Sequence, residues 1–310
     1  MDLYHWPGCE CPAIDGSIAT LGVFDGVHVG HQKILGRVRR EAESLGLPSV
    51  VITFDRHPHE VLDGPPQPCI TSLEHRLRLF EELGLSVCVV VRFTEEVARM
   101  EAPEFARRLF RDLLGVRNLV LGFDARFGHR AEGNIELCRQ MSEELGMRAE
   151  EVEPVRVDGE IVSSTRIRRV VQDADLRWAE KLLGRPFSLL GTVVPGAGIG
   201  REMGYPTANL DVHNELIPRE GVYATITRFD GEAHPSVTSV GSRETFPELG
   251  DDSPVVEVYL LDVCTELYGR DLEVQFKRWM RPQEQFESAE ELAEAISRDV
   301  REATEVLEGL

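Results

Sequence analysis

The chain has 310 residues, with 54 acidic against 34 basic side chains and a formal charge of −20. At roughly 100–200 residues per domain, this length points to two domains, and 42% hydrophobic with 28% charged residues is the balance of a soluble globular protein. So acidic a chain is poorly suited to nucleic acid or to anionic membrane surfaces, both of which call for basic patches; no apolar run nears the ~20 residues of a membrane span, and the opening MDLYH has neither the basic nor the apolar region of a signal peptide.

Residues 17–160 alternate two textures. Residues 17–24 are apolar and strand-like. Residues 31–46 follow with helical spacing at Ile34, Leu35, Val38, Ala42 and Leu45, closed by Gly46. PSVVITF (48–54), SVCVVVRF (86–93) and NLVLGF (118–123) read as buried strands, and residues 103–114 and 134–145 as helices, the last ending at Gly146. Strands separated by helices imply a parallel, doubly wound, Rossmann-like sheet, with ligands at the C-terminal strand ends. Residues 163–184 read as one or two helices. Beyond Pro186 the texture changes to short strands at 189–194, 222–229, 236–240, 255–262 and 272–279 with Gly and Pro between them, the pattern of an antiparallel barrel or sandwich. One long helix closes the chain, opened by the capping box Ser288-Ala289-Glu290-Glu291 and striped by Leu292, Ile296, Val300, Ala303 and Leu307. That stripe is expected to pack on the barrel. The expected domains are 1–185 and 186–310. None of the six cysteines forms a C-x-x-C pair, which fits a reduced, cytoplasmic setting. Cys88 and Cys264 sit in apolar runs as buried thiols, and Cys9 and Cys11 near His5 read as a stray pair rather than metal ligands.

The chemistry begins at the first strand–helix turn. In GVFDGVHVGH (22–31), Gly22, Gly26 and Gly30 let backbone N–H groups approach a phosphate, and the helix start favours anions. His28 and His31, three apart, share one face there, and two imidazoles could steady charge developing on a triphosphate. SSTRIR (163–168) sets hydroxyls before two arginines, either a phosphate clamp or an ordinary N-cap; the company of H-x-G-H favours the clamp. FDRHP (54–58) and GFDARFG (122–128) end two other strands. Phe54, Asp124 and Phe127 there could contact a planar ring, although core packing serves the two phenylalanines equally well. In the second half, Gly191, Gly196, Gly198, Gly200 and Gly204 precede Tyr205-Pro206-Thr207-Ala208-Asn209. The Thr207 hydroxyl and the Asn209 carbonyl are hard oxygen ligands suited to Mg²⁺ on a nucleotide, or else turn residues. Glu257 lies in a strand otherwise rich in Val, where an exposed carboxylate is the default.

These motifs in this order, with LLGRPF (182–187), GYPTANL (204–210), GVYA (221–224) and VEVYLLD (256–262), resemble the bacterial bifunctional riboflavin kinase/FMN adenylyltransferase (FAD synthetase) family over nearly the whole chain. The resemblance implies ATP-dependent phosphorylation of riboflavin to FMN, then adenylylation of FMN to FAD with release of pyrophosphate. It assigns ATP binding and charge stabilisation to His28 and His31, with Gly22, Phe24, Asp25 and Gly26 in the binding turn. Ser164, Thr165 and Arg166 fall in a phosphate loop, and Phe54, Asp124 and Phe127 near the flavin. Thr207 and Asn209, beside Gly200, take magnesium and nucleotide, and Glu257 becomes the base for the ribityl 5′-hydroxyl. The implied substrates are ATP, riboflavin and FMN, with Mg²⁺ and no nucleic acid or membrane partner. The chain departs from the family pattern at Ala125, usually Phe; at Ser239 and Glu244, usually Asn and Pro; at Pro282-Gln283, where R-x-E is usual; and at Ala174, where Gly is common. Three alternatives stand beside this: a nucleotidyltransferase with another acceptor, an adenylyltransferase with a degenerate kinase module, and a non-catalytic flavin or nucleotide sensor.

Overall fold

Val- and Ile-rich runs form the centre of the first half, because β-branched side chains suit a strand packed on both faces. The computed structural model describes residues 1–8, 12–56, 67–196, 200, 204–241, 255–261, 263 and 265–309. It divides into two compact units, Met1–Gln67 with Leu73–Ser163, and Pro68–Ser72 with Ser164–Leu310.

The first unit holds a parallel sheet of β1 (Asp2–Trp6), β2 (Ser17–Leu21), β3 (Ser49–Phe54), β4 (Val87–Val91), β5 (Val116–Gly122) and β6 (Arg148–Val152), in the order β1-β4-β3-β2-β5-β6. β2, β3 and β4 are buried at every position. Helices α1 (Val29–Leu45) and α2 (Leu73–Glu82) follow β2 and β3, and α3 (Glu95–Ala98) and α4 (Ala102–Phe105) follow β4. α4 runs on into a π-helical stretch, Ala106–Leu113. The order of strands reverses at β2, whose neighbours are β3 on one side and β5 on the other. Open α/β sheets bind ligands at such a reversal, outside the C-terminal strand ends. The turns after β2 and β5 therefore face one crevice.

Three elements differ from expectation. The opening residues form edge strand β1, parallel to β4, with Trp6 packed edge-on against Phe105 at 5.5 Å. Residues 148–152, mostly polar, pair with β5 as the opposite edge. The helix expected over 134–145 is two, α5 (Ile135–Gln140) and α6 (Ser142–Leu145), with Asn134 capping the first through its bond from the Leu137 N–H at 2.9 Å. A small hairpin, β7 (Arg156–Val157) with β8 (Glu160–Ile161), completes this unit.

The second unit opens with α7 (Ser164–Gln172) and α8 (Leu176–Leu183). The units therefore divide earlier than the border expected near Gly184. A closed antiparallel barrel follows: β9 (Ser188–Val194), β10 (Ala208–Val212), β11 (Gly221–Phe229), β12 (Glu232–Gly241), β13 (Val255–Leu260) and β14 (Asp271–Arg281), ordered β10-β13-β12-β11-β14-β9. Inside it, Thr225, Thr227, Ser236 and Thr238 are wholly buried and satisfy one another's hydroxyls at 2.7–2.8 Å. The closing helix (Ala289–Glu308) lays Val300, Ala303, Val306 and Leu307 on the outer-face residues Val222, Ala224 and Val237, as its stripe predicted. Buried Asp299 on that helix takes a two-pronged bond from Arg281, 2.8 Å for each prong. Cys88 is buried as expected, while Cys9, Cys11, Cys264 and Glu244 lie outside the described residues.

Candidate active sites

The turn after β2 is tight and strained. Phe24 and Val27 both have positive φ, 54° and 41°, with Gly26 at 80° between them. Left-handed backbone at bulky residues costs energy and collects at functional turns. It is held by the Val27 N–H bond to the Phe24 carbonyl and by the side chain of Gln32 to the Val27 carbonyl. The turn sets His28 as the N-cap of α1, its Nδ1 accepting from the His31 N–H at 3.2 Å. The two imidazoles stack with centroids 3.5 Å apart and planes 17° from parallel. Gly30 makes the stack feasible, since a Cβ there would sit 3.0 Å from the His28 ring. The first turn of this 17-residue helix carries no acidic side chain, so its N–H groups and dipole meet an anion unopposed. Phe24 packs edge-on to His31 and Phe80, and Asp25 is buried in the turn.

The other expected contacts of this unit divide by exposure. Phe54 and Phe127 are each 4% exposed. Phe54 meets Phe93, and Phe127 meets Phe105 and Phe110, so both rings are packed into the core. Asp124 is exposed, and so is Phe123, an aromatic ring at the end of β5 that hydropathy alone assigns to a strand. Ala125 is half-buried. Arg76 on α2 was missed by sequence reasoning. Buried, it donates to the carbonyls of Val23 and Phe54 and to the Thr53 hydroxyl, tying the ends of β2 and β3 together. An arginine on an amphipathic helix carries no signal that it points inward.

In the second unit, Ser164 opens α7, with Thr165 exposed behind it. The two arginines of SSTRIR separate. Arg168 is buried and bonds the Pro68 carbonyl at 2.8 Å. Arg166 lies over the Trp178 ring at 4.9 Å, and Lys181 over the same ring at 4.7 Å.

The barrel assembles the remaining candidates on its outer face. Asn209 on β10 lies opposite Glu257 on β13, and Glu257 lies opposite Ser239 on β12. Directly opposed residues of antiparallel strands share a face with Cβ atoms ~4.5–5.5 Å apart, so the three form one row. Glycine backbone covers one end of it. A Cβ on Gly196 would fall 2.0 Å from the Asn209 amide, and one on Gly200 would fall 3.2 Å from the Thr207 hydroxyl and 2.4 Å from the Tyr205 carbonyl. These glycines leave room only for backbone above two oxygen donors. Gly198 lies outside the described residues. Burial pushes the Glu257 carboxyl above the usual carboxylate range. No hydrogen bond or ion pair reaches its side chain among the described residues. Tyr259, two residues on, stacks edge-on with Tyr205 at 5.5 Å. β10 was not anticipated from the sequence, because ANLDV, although it alternates apolar and polar, is short and follows directly on a Gly- and Pro-rich stretch that reads as turn. The Asn209–Glu257 opposition depends on it.

Comparison with known proteins gives both units a family. The FAD synthetase family matches residues 12–166 and the riboflavin kinase family residues 183–307. The chain is 37% identical over 292 residues to the bifunctional riboflavin kinase/FMN adenylyltransferase of Pseudomonas fluorescens, covering 94% of this chain and 93% of that one. The chain belongs to the bifunctional riboflavin kinase/FMN adenylyltransferase family. The Bacillus subtilis member of this family is 36% identical over 93% of this chain and 91% of its own. A solved structure from Streptococcus pneumoniae, named a macrolide-efflux protein, superposes with a TM-score of 0.80 at 27% identity, over 96% of this chain and 97% of that one. Among the described residues no helix is long and apolar enough to cross a membrane. The two matched families account for the two activities in the relatives' name.

Proposed function

We propose that this chain makes FAD from riboflavin in two ATP-dependent steps, phosphorylation to FMN with release of ADP and adenylylation of FMN with release of pyrophosphate. Residues 1–185 serve as the adenylyltransferase domain and 186–310 as the kinase domain. The substrates are the small molecules ATP, riboflavin and FMN, handled in the cytoplasm without nucleic acid or membrane. The observation that carries two reactions rather than adenylyl transfer alone is the register that sets Asn209 opposite Glu257. It joins a phosphate-side oxygen donor to a carboxylate whose burial makes it a stronger base.

Both steps are in-line displacements at phosphorus, where positioning and charge neutralisation supply most of the catalysis. In adenylylation the nucleophile is already an FMN phosphate, so no side-chain base is needed. The α1 N-terminus and the stacked His28 and His31 orient the triphosphate and donate to oxygens that gain charge. Gly22, Phe24, Asp25 and Gly26 shape the turn that receives it, and Ser164, Thr165 and Arg166, at the start of α7, are phosphate-binding candidates by family resemblance. Phe54, Asp124 and Phe127 border the flavin. In phosphorylation a proton must leave the ribityl 5′-hydroxyl, and Glu257 takes it as that oxygen attacks the γ-phosphate. Thr207 and Asn209 offer hard oxygens beside the backbone of Gly196 and Gly200, a donor set that fits Mg²⁺. Bound there with ATP, the ion would neutralise phosphate charge. Among the described residues no cluster of His, Cys, Asp and Glu offers a competing metal site.

One assay tests the reading: purified protein with Mg-ATP and riboflavin, products resolved by chromatography. FMN, FAD, ADP and pyrophosphate are expected. FAD from supplied FMN alone would mean a degenerate kinase module, and neither flavin product would return the acceptor to question.

A further inference from the structure

Ser239 and Gln283, two positions where this chain departs from its family's usual residues, touch each other beside Glu257. The Gln283 side-chain amide donates to the Ser239 hydroxyl at 2.6 Å and to the Val240 carbonyl at 3.2 Å. Gly241 completes the seat, since a Cβ there would come 3.2 Å from the same amide nitrogen. Ser-Val-Gly at the end of β12 thus forms a socket for one side chain arriving just past β14. The longer Asn usual at position 239 would extend toward the space that the Gln283 amide fills, so the two departures fit together.

Ser239 flanks Glu257 on the side opposite Asn209. A serine hydroxyl has one proton to donate and two lone pairs to accept with. Gln283 occupies a lone pair and leaves the proton. At ~4.5–5.5 Å between Cβ atoms, the acceptor within its sweep is the Glu257 carboxylate, which has no other donor among the described residues. Glutamate has three side-chain torsions, and a general base must hold hydrogen-bond distance to the proton it takes. Without a fixed neighbour the carboxylate samples many positions, and misplacement by about 1 Å can cost ~100-fold in rate. We infer that Ser239, locked by Gln283, is a positioning residue that steers the Glu257 carboxylate toward the hydroxyl it deprotonates. This rests on Glu257 being the base for FMN formation.

The test uses the full chain with five variants: Ser239→Ala, Ser239→Thr, Gln283→Ala, the Ser239→Ala/Gln283→Ala double variant, and Glu257→Gln. Steady-state FMN formation, FAD formation from supplied FMN, and Tm are measured for each. Ser239→Ala should lower kcat for FMN formation about tenfold, the scale of one hydrogen bond to a charged group, with KM for ATP unchanged. Ser239→Thr keeps the hydroxyl and should restore most of that rate. Gln283→Ala should lower kcat less, and the double variant should match Ser239→Ala, because both act through one contact. FAD formation should stay unchanged throughout. Unchanged kcat in Ser239→Ala, failure of Ser239→Thr to rescue, or multiplying losses in the double variant would overturn the inference. If Glu257→Gln is inactive while Ser239→Ala retains full kcat, the positioning role alone fails. If Glu257→Gln still makes FMN at the original rate, the base assignment fails and takes this inference with it.

Discussion

The imidazole rings of His28 and His31 stack 3.5 Å apart at the start of α1, and Gly30 between them leaves the space they need. The two rings have different duties in the fold, so they give different predictions. His31 donates its backbone N–H to the His28 ring, so the cap acceptor is His28 and not the His31 imidazole. His31→Ala should lower FAD formation from FMN about 100- to 1,000-fold, the loss typical of one preorganised donor, with Tm and FMN formation unchanged. His28→Ala removes the N-cap acceptor as well. It should lose the same activity and about 1 kcal/mol of stability, measured by urea unfolding. His28→Asn, which keeps a cap, should recover the stability without the activity. Gly30→Ala should resemble His28→Ala in rate, because its methyl displaces the His28 ring.

Arg76 makes a separate prediction for the same unit. Its guanidinium is buried and bonds the carbonyls of Val23 and Phe54 and the hydroxyl of Thr53. Arg76→Ala leaves the Phe54 carbonyl without this buried donor and the Val23 carbonyl with the Thr53 hydroxyl. It should cost about 2–4 kcal/mol, read as a lower urea midpoint. The strained turn at Phe24–Val27 begins at one of those carbonyls, so KM for ATP in FAD formation should also rise. Arg76→Lys delivers one ammonium where a planar fork served three acceptors, and should recover only part of the loss.

The contrast between these sites shows what a sequence displays. The parallel sheet was legible because VVITF and VCVVV are apolar at nearly every position, as suits strands buried on both faces. The histidine turn was legible because glycines and two histidines three apart have few structural reasons to coincide. Arg76 was hidden, since nothing in LEHRLRLFEE tells an inward arginine from a solvated one. β1 and β6 are edge strands, half exposed, and carry weak periodicity. Composition and spacing gave Glu257 no signature, and only the resemblance carried by VEVYLLD marked it. Its meaning comes from Asn209, 48 residues earlier, through a strand register that no window of sequence contains.

Ala174 tests a helix end. After α7, the Ala174 N–H bonds the Val171 carbonyl and the Asp175 N–H bonds the Val170 carbonyl, the paired bonds of a Schellman motif. The residue at its turning point has φ of 57°, where glycine is at ease and a side chain is strained. This explains why glycine is common there. Ala174→Gly should stabilise the chain by up to about 1 kcal/mol, seen as a higher urea midpoint with unchanged slope. A loss of stability would mean that the added freedom of the unfolded chain outweighs the relieved strain.

Glu257 couples stability to catalysis through its burial. Its carboxyl is held above the ordinary value of 4.5 because desolvation penalises the charged form. The folded state therefore binds a proton more tightly than the unfolded state. The sign follows: the carboxyl's favourable contribution is fully present below the unfolded value and is lost as pH rises through the folded one. At pH 8 the protein carries the penalty of a half-buried carboxylate that meets no cation among the described residues. Glu257→Gln removes that charge and keeps the shape. Its Tm should exceed that of the natural chain at pH 8, and the difference should close near pH 4. The same substitution should abolish FMN formation and leave FAD formation from supplied FMN intact. In the natural chain the acid limb of kcat/KM for FMN formation should lie above the range of an exposed carboxylate, because the base works only when ionised. A variant equal in Tm at both pH values, or an acid limb at the ordinary carboxylate value, would show that Glu257 is solvated as the protein works.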